Sequence, residues 1–203
     1  MSDDARLKIL SRQTAYQGYF RIERFTLSHE KHDGTWSGEM VREVFQRGDA
    51  AGAILYDPDR DAVVLVEQFR LPAHVAGRSA WQLEVVAGII EEGETPEAVT
   101  LREIREESGL EVKGALVPIH SFLPTPGGST ETMTLYCARV DSSGAGGVFG
   151  VADEHEDIRV VVLPFAEAMD RARNGAIENG FTLLALWWLL ANRERLRAGW
   201  PAG

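Results

Sequence analysis

The stretch that most constrains this chain is residues 88–110, GIIEEGETPEAVTLREIREESGL. It crowds acidic side chains into one short helix and the loop before it. Glu103, Glu106 and Glu107 stand at relative positions i, i+3 and i+4. At 3.6 residues per turn the three share an arc of about 100° on one helical face. Like charges at that spacing repel and weaken a helix. The cluster becomes tolerable when a cation sits among the carboxylates, and hard oxygen donors suit Mg²⁺ or Mn²⁺. The helix is otherwise well marked. Thr95 suits an N-cap, Pro96 the first helical position and Gly109 the left-handed position past the end. Ala98, Leu101 and Ile104 predict an apolar face opposite the acids, which would dock on a core. The plain alternative, a solvated acidic surface helix, leaves the glycine and arginine spacing unexplained.

That spacing reads Gly88, five residues, Glu94, seven residues, then Arg102-Glu103-Ile104-Arg105-Glu106-Glu107-Ser108-Gly109-Leu110. It resembles the Nudix box at every defining position. The resemblance implies a mixed-sheet α/β/α sandwich that carries the box as a loop–helix–loop. It also implies hydrolysis of nucleoside diphosphates linked to another moiety, with divalent metal held by the box glutamates.

The other bulk properties agree. The chain has 203 residues and a net charge of −10. That is long enough to bury a real core, and too acidic for a broad nucleic-acid-binding face. An acidic protein acting on a phosphorylated substrate needs metal between two negative partners. Cys137 is the single cysteine, so an intrachain disulfide and a multi-cysteine zinc site are excluded; its apolar neighbours predict a buried strand thiol. The N-terminus shows no apolar signal region. The longest apolar run, residues 183–191, is too short to span a bilayer. Cytoplasmic residence is the simplest expectation, with no membrane and no nucleic-acid partner.

In chain order, strands are predicted near residues 7–10 and 19–30, then, after the Asp33-Gly34 turn, over 40–45. They form a small antiparallel sheet, marginal alone. A boundary near residue 48 divides the chain into an N-terminal, dimer-forming sheet (1–48) and a hydrolase domain (49–203). In the latter, strands are expected over 53–56, 62–67, 81–86, 111–122, 132–140 and 158–163, with a loop over 71–79. Residues 141–150 are glycine-rich and read as a loop. Helices are expected over 164–174 and 181–197, with Leu184, Trp187, Trp188 and Leu190 as packing residues. Strands before, around and after helices give an α/β fold, a mixed sheet covered on both faces, plus the small N-terminal antiparallel sheet.

Outside the box, several segments resemble the ADP-ribose pyrophosphatase branch of the Nudix family. They are the VEQFR segment ending at Arg70, the LEVVAG entry to the box, and Pro126 sixteen residues past Leu110. The loop Thr125-Pro126-Gly127-Gly128 resembles that branch's SPGG loop, and residues 153–157, DEHED, its acidic loop. The N-terminal sheet is similar to one that exchanges between subunits of a homodimer. The resemblance implies two to three Mg²⁺ (or Mn²⁺) ions held by Glu103, Glu106, Glu107, Glu156 and the Ala87 carbonyl. Glu154 is then the base, although two residues of separation leave the reverse assignment with Glu156 open. Substrate contacts fall to Tyr19, Phe20, Arg42, Glu43, Arg70, Gly128 and Glu131. All but Gly128 also have an ordinary reading: hairpin packing for the two aromatics, an exposed strand pair for Arg42 and Glu43, a surface arginine at a strand end for Arg70 and a solvated strand position for Glu131. Arg102 and Glu94 pair to hold the loop against the helix.

The implied reaction is hydrolysis of ADP-ribose to AMP and ribose 5-phosphate. Rival readings are another nucleotide sugar such as GDP-mannose, or a non-catalytic nucleotide-sugar sensor. The chain contains no HExxH, GxSxG or P-loop pattern, so zinc-protease, serine-hydrolase and P-loop chemistry lack support.

Overall fold

The computed structural model describes residues 3–151 and 155–201. The chain divides into two compact units: residues 1–49 with 123–132, and residues 50–122 with 133–203.

The first unit opens with a 3-10 turn, Asp3–Arg6, and a three-stranded antiparallel sheet in the order β1-β2-β3. β1 spans Leu7–Gln17, β2 Arg21–His29 and β3 Met40–Gln46. β1 is much longer than sequence alone indicated. Its alternation is broken by register shifts between Ile9 and Ser11 and between Thr14 and Tyr16, which hides a period of two. The Asp33-Gly34 turn holds: Gly34 N–H donates to the Lys31 carbonyl, and Asp33 Oδ1 accepts from Thr35 N–H. Phe45 exchanges backbone hydrogen bonds with Gly128 and Thr130, which ties the loop at residues 123–132 to β3.

The second unit holds a mixed sheet in the order β10-β11-β5-β4-β9-β8. Its elements are β4 (Ala50–Asp57), β5 (Ala62–Phe69), α1 (Leu71–Val75), β6 (Trp81–Glu84), β7 (Val86–Ile89), α2 (Pro96–Ser108), β8 (Val117–Phe122), β9 (Met133–Arg139), β10 (Val148–Phe149), β11 (Ile158–Pro164), α3 (Phe165–Arg173) and α4 (Gly180–Ala198). β4 runs parallel to β9; the other pairings are antiparallel. Residues 71–79, expected as loop, begin with the short α1, started by Pro72 in its first turn. The strand expected over 111–122 begins only at Val117.

Strict alternation sorts the strand residues into two layers. Ile54, Tyr56, Val63, Leu65, Leu135 and Cys137 face α3 and α4. Ala53, Leu55, Val64, Val66, Tyr136 and Ala138 share a core with Ile104 of α2. Cys137 is fully buried in β9, as its neighbours indicated. In α4 the core is built from Ala185, Leu186, Leu189 and Leu196, with Leu184 and Trp188 against it. Trp187 and Leu190 are instead exposed; a helix that is apolar nearly all round does not declare its buried side by composition.

One feature of the sheet positions the site. β4 and β5 pair with each other only through residues 55–57 and 62–64. Beyond that they splay. β6 then pairs with β5, and β7 pairs with β4. Val85 lies between β6 and β7, where the chain changes partner.

Candidate active site

α2 has the ends that its sequence specifies. Thr95 accepts a hydrogen bond from Ala98 N–H at 3.2 Å, and Gly109 takes φ 65°. Its orientation is different from expectation. Ala98 is exposed and Leu101 half-buried, while Val99, Thr100, Ile104, Glu107 and Ser108 are buried. Glu107 therefore turns toward the sheet, only 3% exposed.

Glu107 Oε2 accepts the Ala87 backbone N–H at 3.2 Å. Burial pushes its carboxyl pKa up to about 8; the charges of Glu103 and Glu156 push the same way, against the Ala87 N–H and Arg70. Burial also raises Glu103, helped by Glu106 and Glu156 and opposed by Arg102. Glu103 lies directly against Gly88, where any Cβ would overlap its carboxylate. Glycine at the head of the motif thus lets the Glu103 carboxylate lie where it does, and a larger residue would displace it.

Arg102 organises the exposed side. Its Nη1 donates to Glu103 Oε1 at 2.7 Å and to Glu106 Oε2 at 3.1 Å. Its Nε and Nη2 reach Glu94 at 3.2 and 3.3 Å, and Glu94 accepts Glu91 N–H at 3.0 Å. The expected Arg102–Glu94 clamp between loop and helix is thus present, and it includes two box glutamates as well.

Arg70 follows β5. Its Nε and Nη2 both donate to Glu84 Oε2, at 3.1 and 2.8 Å. Glu107 and Glu156 act on it through space, so it faces the same carboxylate cluster. Glu156 accepts Val151 N–H at 3.0 Å. Glu154 lies outside the described residues.

The donor set suits a hard divalent cation. Glu103, Glu107 and Glu156 repel one another across a partly desolvated space, and a cation would remove that penalty. Among the described residues no three acidic or histidine side chains converge closely enough to hold a metal by themselves. Arg102 draws Glu103 and Glu106 to itself. The expected ligands Glu103, Glu106, Glu107 and Glu156 act on one another through space, and the Ala87 backbone adjoins them through its N–H.

The remaining predicted residues belong to the first unit. Tyr19 is 86% exposed and meets Phe20 edge-on at 4.8 Å; Phe20 meets Phe45 at 5.0 Å. Arg42 and Glu43 lie on β3 opposite Phe25 and Arg24, and Arg42 Nη1 donates to the Val41 carbonyl at 2.8 Å. Glu131 is buried and bound by Arg47. Gly128 donates its N–H to the Thr125 carbonyl.

The family model of the NUDIX domain matches residues 46–182. The chain belongs to the Nudix family. Over 96% of its length it is 42% identical to an ADP-ribose pyrophosphatase of Escherichia coli, covering 92% of that protein. It is 41% identical to an ADP-ribose pyrophosphatase of Haemophilus influenzae, covering 96% of this chain and 90% of that one. A GDP-mannose pyrophosphatase of Yersinia pestis is 35% identical over 84% of each chain. In fold it is similar to a solved ADP compounds hydrolase, with TM-score 0.69, 22% identity and 97% of each chain covered. The α/β sandwich expected from the Nudix box is borne out.

Glu84, the holder of Arg70, is a residue that the sequence did not single out. It sits four residues before the Nudix box inside an apolar strand, and is 6% exposed. An acid flanked by Leu83 and Val85 was the available signal, because a buried carboxylate needs donors. Its donors, Gln68, Arg70 and Asn179, come from distant parts of the chain.

Proposed function

We propose that this chain is a divalent-metal-dependent hydrolase that cleaves the diphosphate of ADP-ribose to AMP and ribose 5-phosphate. The observation that carries this reading is the pair of half-buried Glu103 and buried Glu107 beside the Ala87–Gly88 backbone. The choice of substrate is supported by the near full-length likeness to ADP-ribose pyrophosphatases. GDP-mannose is the second reading, favoured by the likeness to a GDP-mannose pyrophosphatase. An intact carboxylate set argues against a non-catalytic sensor.

Two or three Mg²⁺ ions, or Mn²⁺, would neutralise the diphosphate oxygens and acidify water. Glu103, Glu106, Glu107, Glu156 and the Ala87 carbonyl are the residues that would hold them. Arg70 binds a phosphate oxygen, since its Nη1 has no hydrogen-bond partner among the described residues. Glu154 takes a proton from the attacking water, with Glu156 the alternative base. Tyr19 stacks on adenine while Phe20 braces it against Phe45. Arg42, Glu43, Gly128 and Glu131 complete the substrate surface.

The reading extends to assembly and compartment. None of the buried apolar side chains among the described residues comes from residues 5–49 or 123–132. Leu7, Ile9, Leu10 and Tyr16 on the edge strand β1 are exposed. A sheet without a core of its own, edged by a long strand with four exposed apolar side chains, needs a cover, and a homodimer that exchanges this unit supplies one. Among the described residues no helix is long and apolar enough to cross a membrane, which accords with work in the cytoplasm. The test is incubation with a panel of nucleotide sugars and dinucleoside diphosphates plus Mg²⁺. AMP is expected from ADP-ribose, and its loss on chelation; an inert protein would refute the reading.

A further inference from the structure

Glu84 and Val85 are gripped by one residue pair at the start of α4. Asn179 is the N-cap: its Oδ1 accepts Thr182 N–H at 3.0 Å and Thr182 Oγ1–H at 3.1 Å. Its Nδ2 donates to Glu84 Oε1 at 3.1 Å. Thr182 Oγ1 in turn accepts Val85 N–H at 2.9 Å. Val85 is the point where the chain leaves β5 for β4, so its N–H lies outside both ladders. A fully buried threonine satisfies it instead.

The two oxygens of Glu84 divide their work. Oε2 takes Arg70 and Gln68; Oε1 takes Asn179, its single donor among the described residues. Fixing Oε1 fixes the plane of the carboxylate, and the plane decides where Oε2 holds the guanidinium. Arg70 would otherwise sit on a long, half-exposed side chain with several rotamers open to it.

We propose that Asn179 is a positioning residue for the diphosphate site, acting through Glu84 on Arg70 while its partner Thr182 fixes the backbone leading to Ala87. The inference rests on the reading of Arg70 as a phosphate ligand. The start of α4 is then more than a helix end: it sets the reach of the arginine and the placement of the Ala87 carbonyl together.

Two substitutions separate this role from capping. Asn179→Ser keeps an oxygen for Thr182 N–H and removes the amide that reaches Glu84. Asn179→Asp keeps cap and shape but sets a carboxylate against Glu84. Serine and aspartate are both good N-caps, so capping alone leaves both enzymes near wild type. The positioning role predicts that KM rises about 10- to 100-fold in Asn179→Asp, with kcat changed less, and that Asn179→Ser falls between. In an Arg70→Ala background Asn179→Asp should add less than about 2-fold, because its effect passes through that arginine. Kinetic constants near wild type for both variants, or a full loss that persists without Arg70, would overturn the inference. If Asn179→Asp fails to fold, Asn179→Ser alone carries the cycle. Substrate preference is judged on the wild type, with ADP-ribose and GDP-mannose side by side. The variants are read as ratios to wild type on whichever is cleaved faster, so the two readings fail separately.

Discussion

The Glu107 carboxylate accepts a hydrogen bond from the Ala87 N–H across twenty residues of sequence. That bond joins the last turn of α2 to β7. It also helps a 3%-exposed acid to be tolerated among other acids, since one neutral donor satisfies part of it.

If Glu107 and Glu103 hold the catalytic cations as proposed, replacing either with Gln should lower turnover by at least about 100-fold, since several kcal/mol of charge stabilisation would depend on those cations. The fold should survive. In the metal-free protein the raised pKa of Glu107 gives a sign that can be checked. Its folded value of about 8 exceeds the unfolded carboxyl value. Its contribution is thus fully present below about pH 4 and lost as pH rises through 8. Metal-free Glu107→Gln should be more stable than metal-free wild type at pH 8, by on the order of a few kcal/mol, and the difference should shrink toward pH 5. Urea titrations at both pH values measure this; equal stability at pH 8 would contradict it.

A second pH effect involves Asp57, at the end of β4. Asp57 is buried and accepts Ser142 N–H and Oγ–H at 2.8 and 2.7 Å, and the Asp59 and Arg60 N–H groups at 3.0 and 3.1 Å. Burial alone would raise its carboxyl pKa, but these donors outweigh it and hold the value low. This stability is present above the unfolded value and lost as pH falls through the folded one. Asp57→Ala should cost about 3 kcal/mol at pH 7, chiefly by orphaning buried donors, and less at pH 3. A cost that does not change with pH would mean the carboxylate charge is irrelevant there.

How far the sequence foretold this arrangement varies with the range of the interactions. Thr95, Pro96 and Gly109 act within four residues, and the ends of α2 follow from them. The face that α2 buries does not: Ala98 is as good an apolar residue as Val99, and charge repulsion points Glu107 outward. The splayed β4–β5 sheet and the Ala87 N–H decide otherwise. Arg70 could be picked out as a candidate from its place after a strand, whereas its holder Glu84 and the Asn179 behind it could not. Asn179 is 95 residues from Glu84, and no periodicity carries that distance. β1 was cut short because two register shifts disrupt its alternation.

The two loop acids can be separated by parallel substitution. Glu156 already acts on Glu103 and Glu107 through space. With Glu154 as base, Glu154→Gln should lose about 10²–10⁴-fold in kcat, and Glu156→Gln should chiefly weaken the response to Mg²⁺. A small loss at 154 with a large one at 156 reverses the roles. Small losses at both would remove this loop from the chemistry.

Assembly can be tested by mixing. Light scattering should give a dimer of the 22.4 kDa chain. Arg42→Ala and Glu107→Gln should each be weak alone. Co-refolded, they should recover part of the activity, because one of the two sites in a mixed dimer then has an intact first unit from one chain and intact box carboxylates from the other. No recovery despite proven subunit exchange would mean that each first unit serves its own chain.

Substrate choice is measured most directly by the ratio of kcat/KM for ADP-ribose to that for GDP-mannose. A site shaped for adenine and ribose 5-phosphate should favour ADP-ribose by at least about 10-fold, the scale on which a single pocket discriminates, with AMP as the nucleotide product. A ratio below one, with GMP released faster than AMP, would contradict the account.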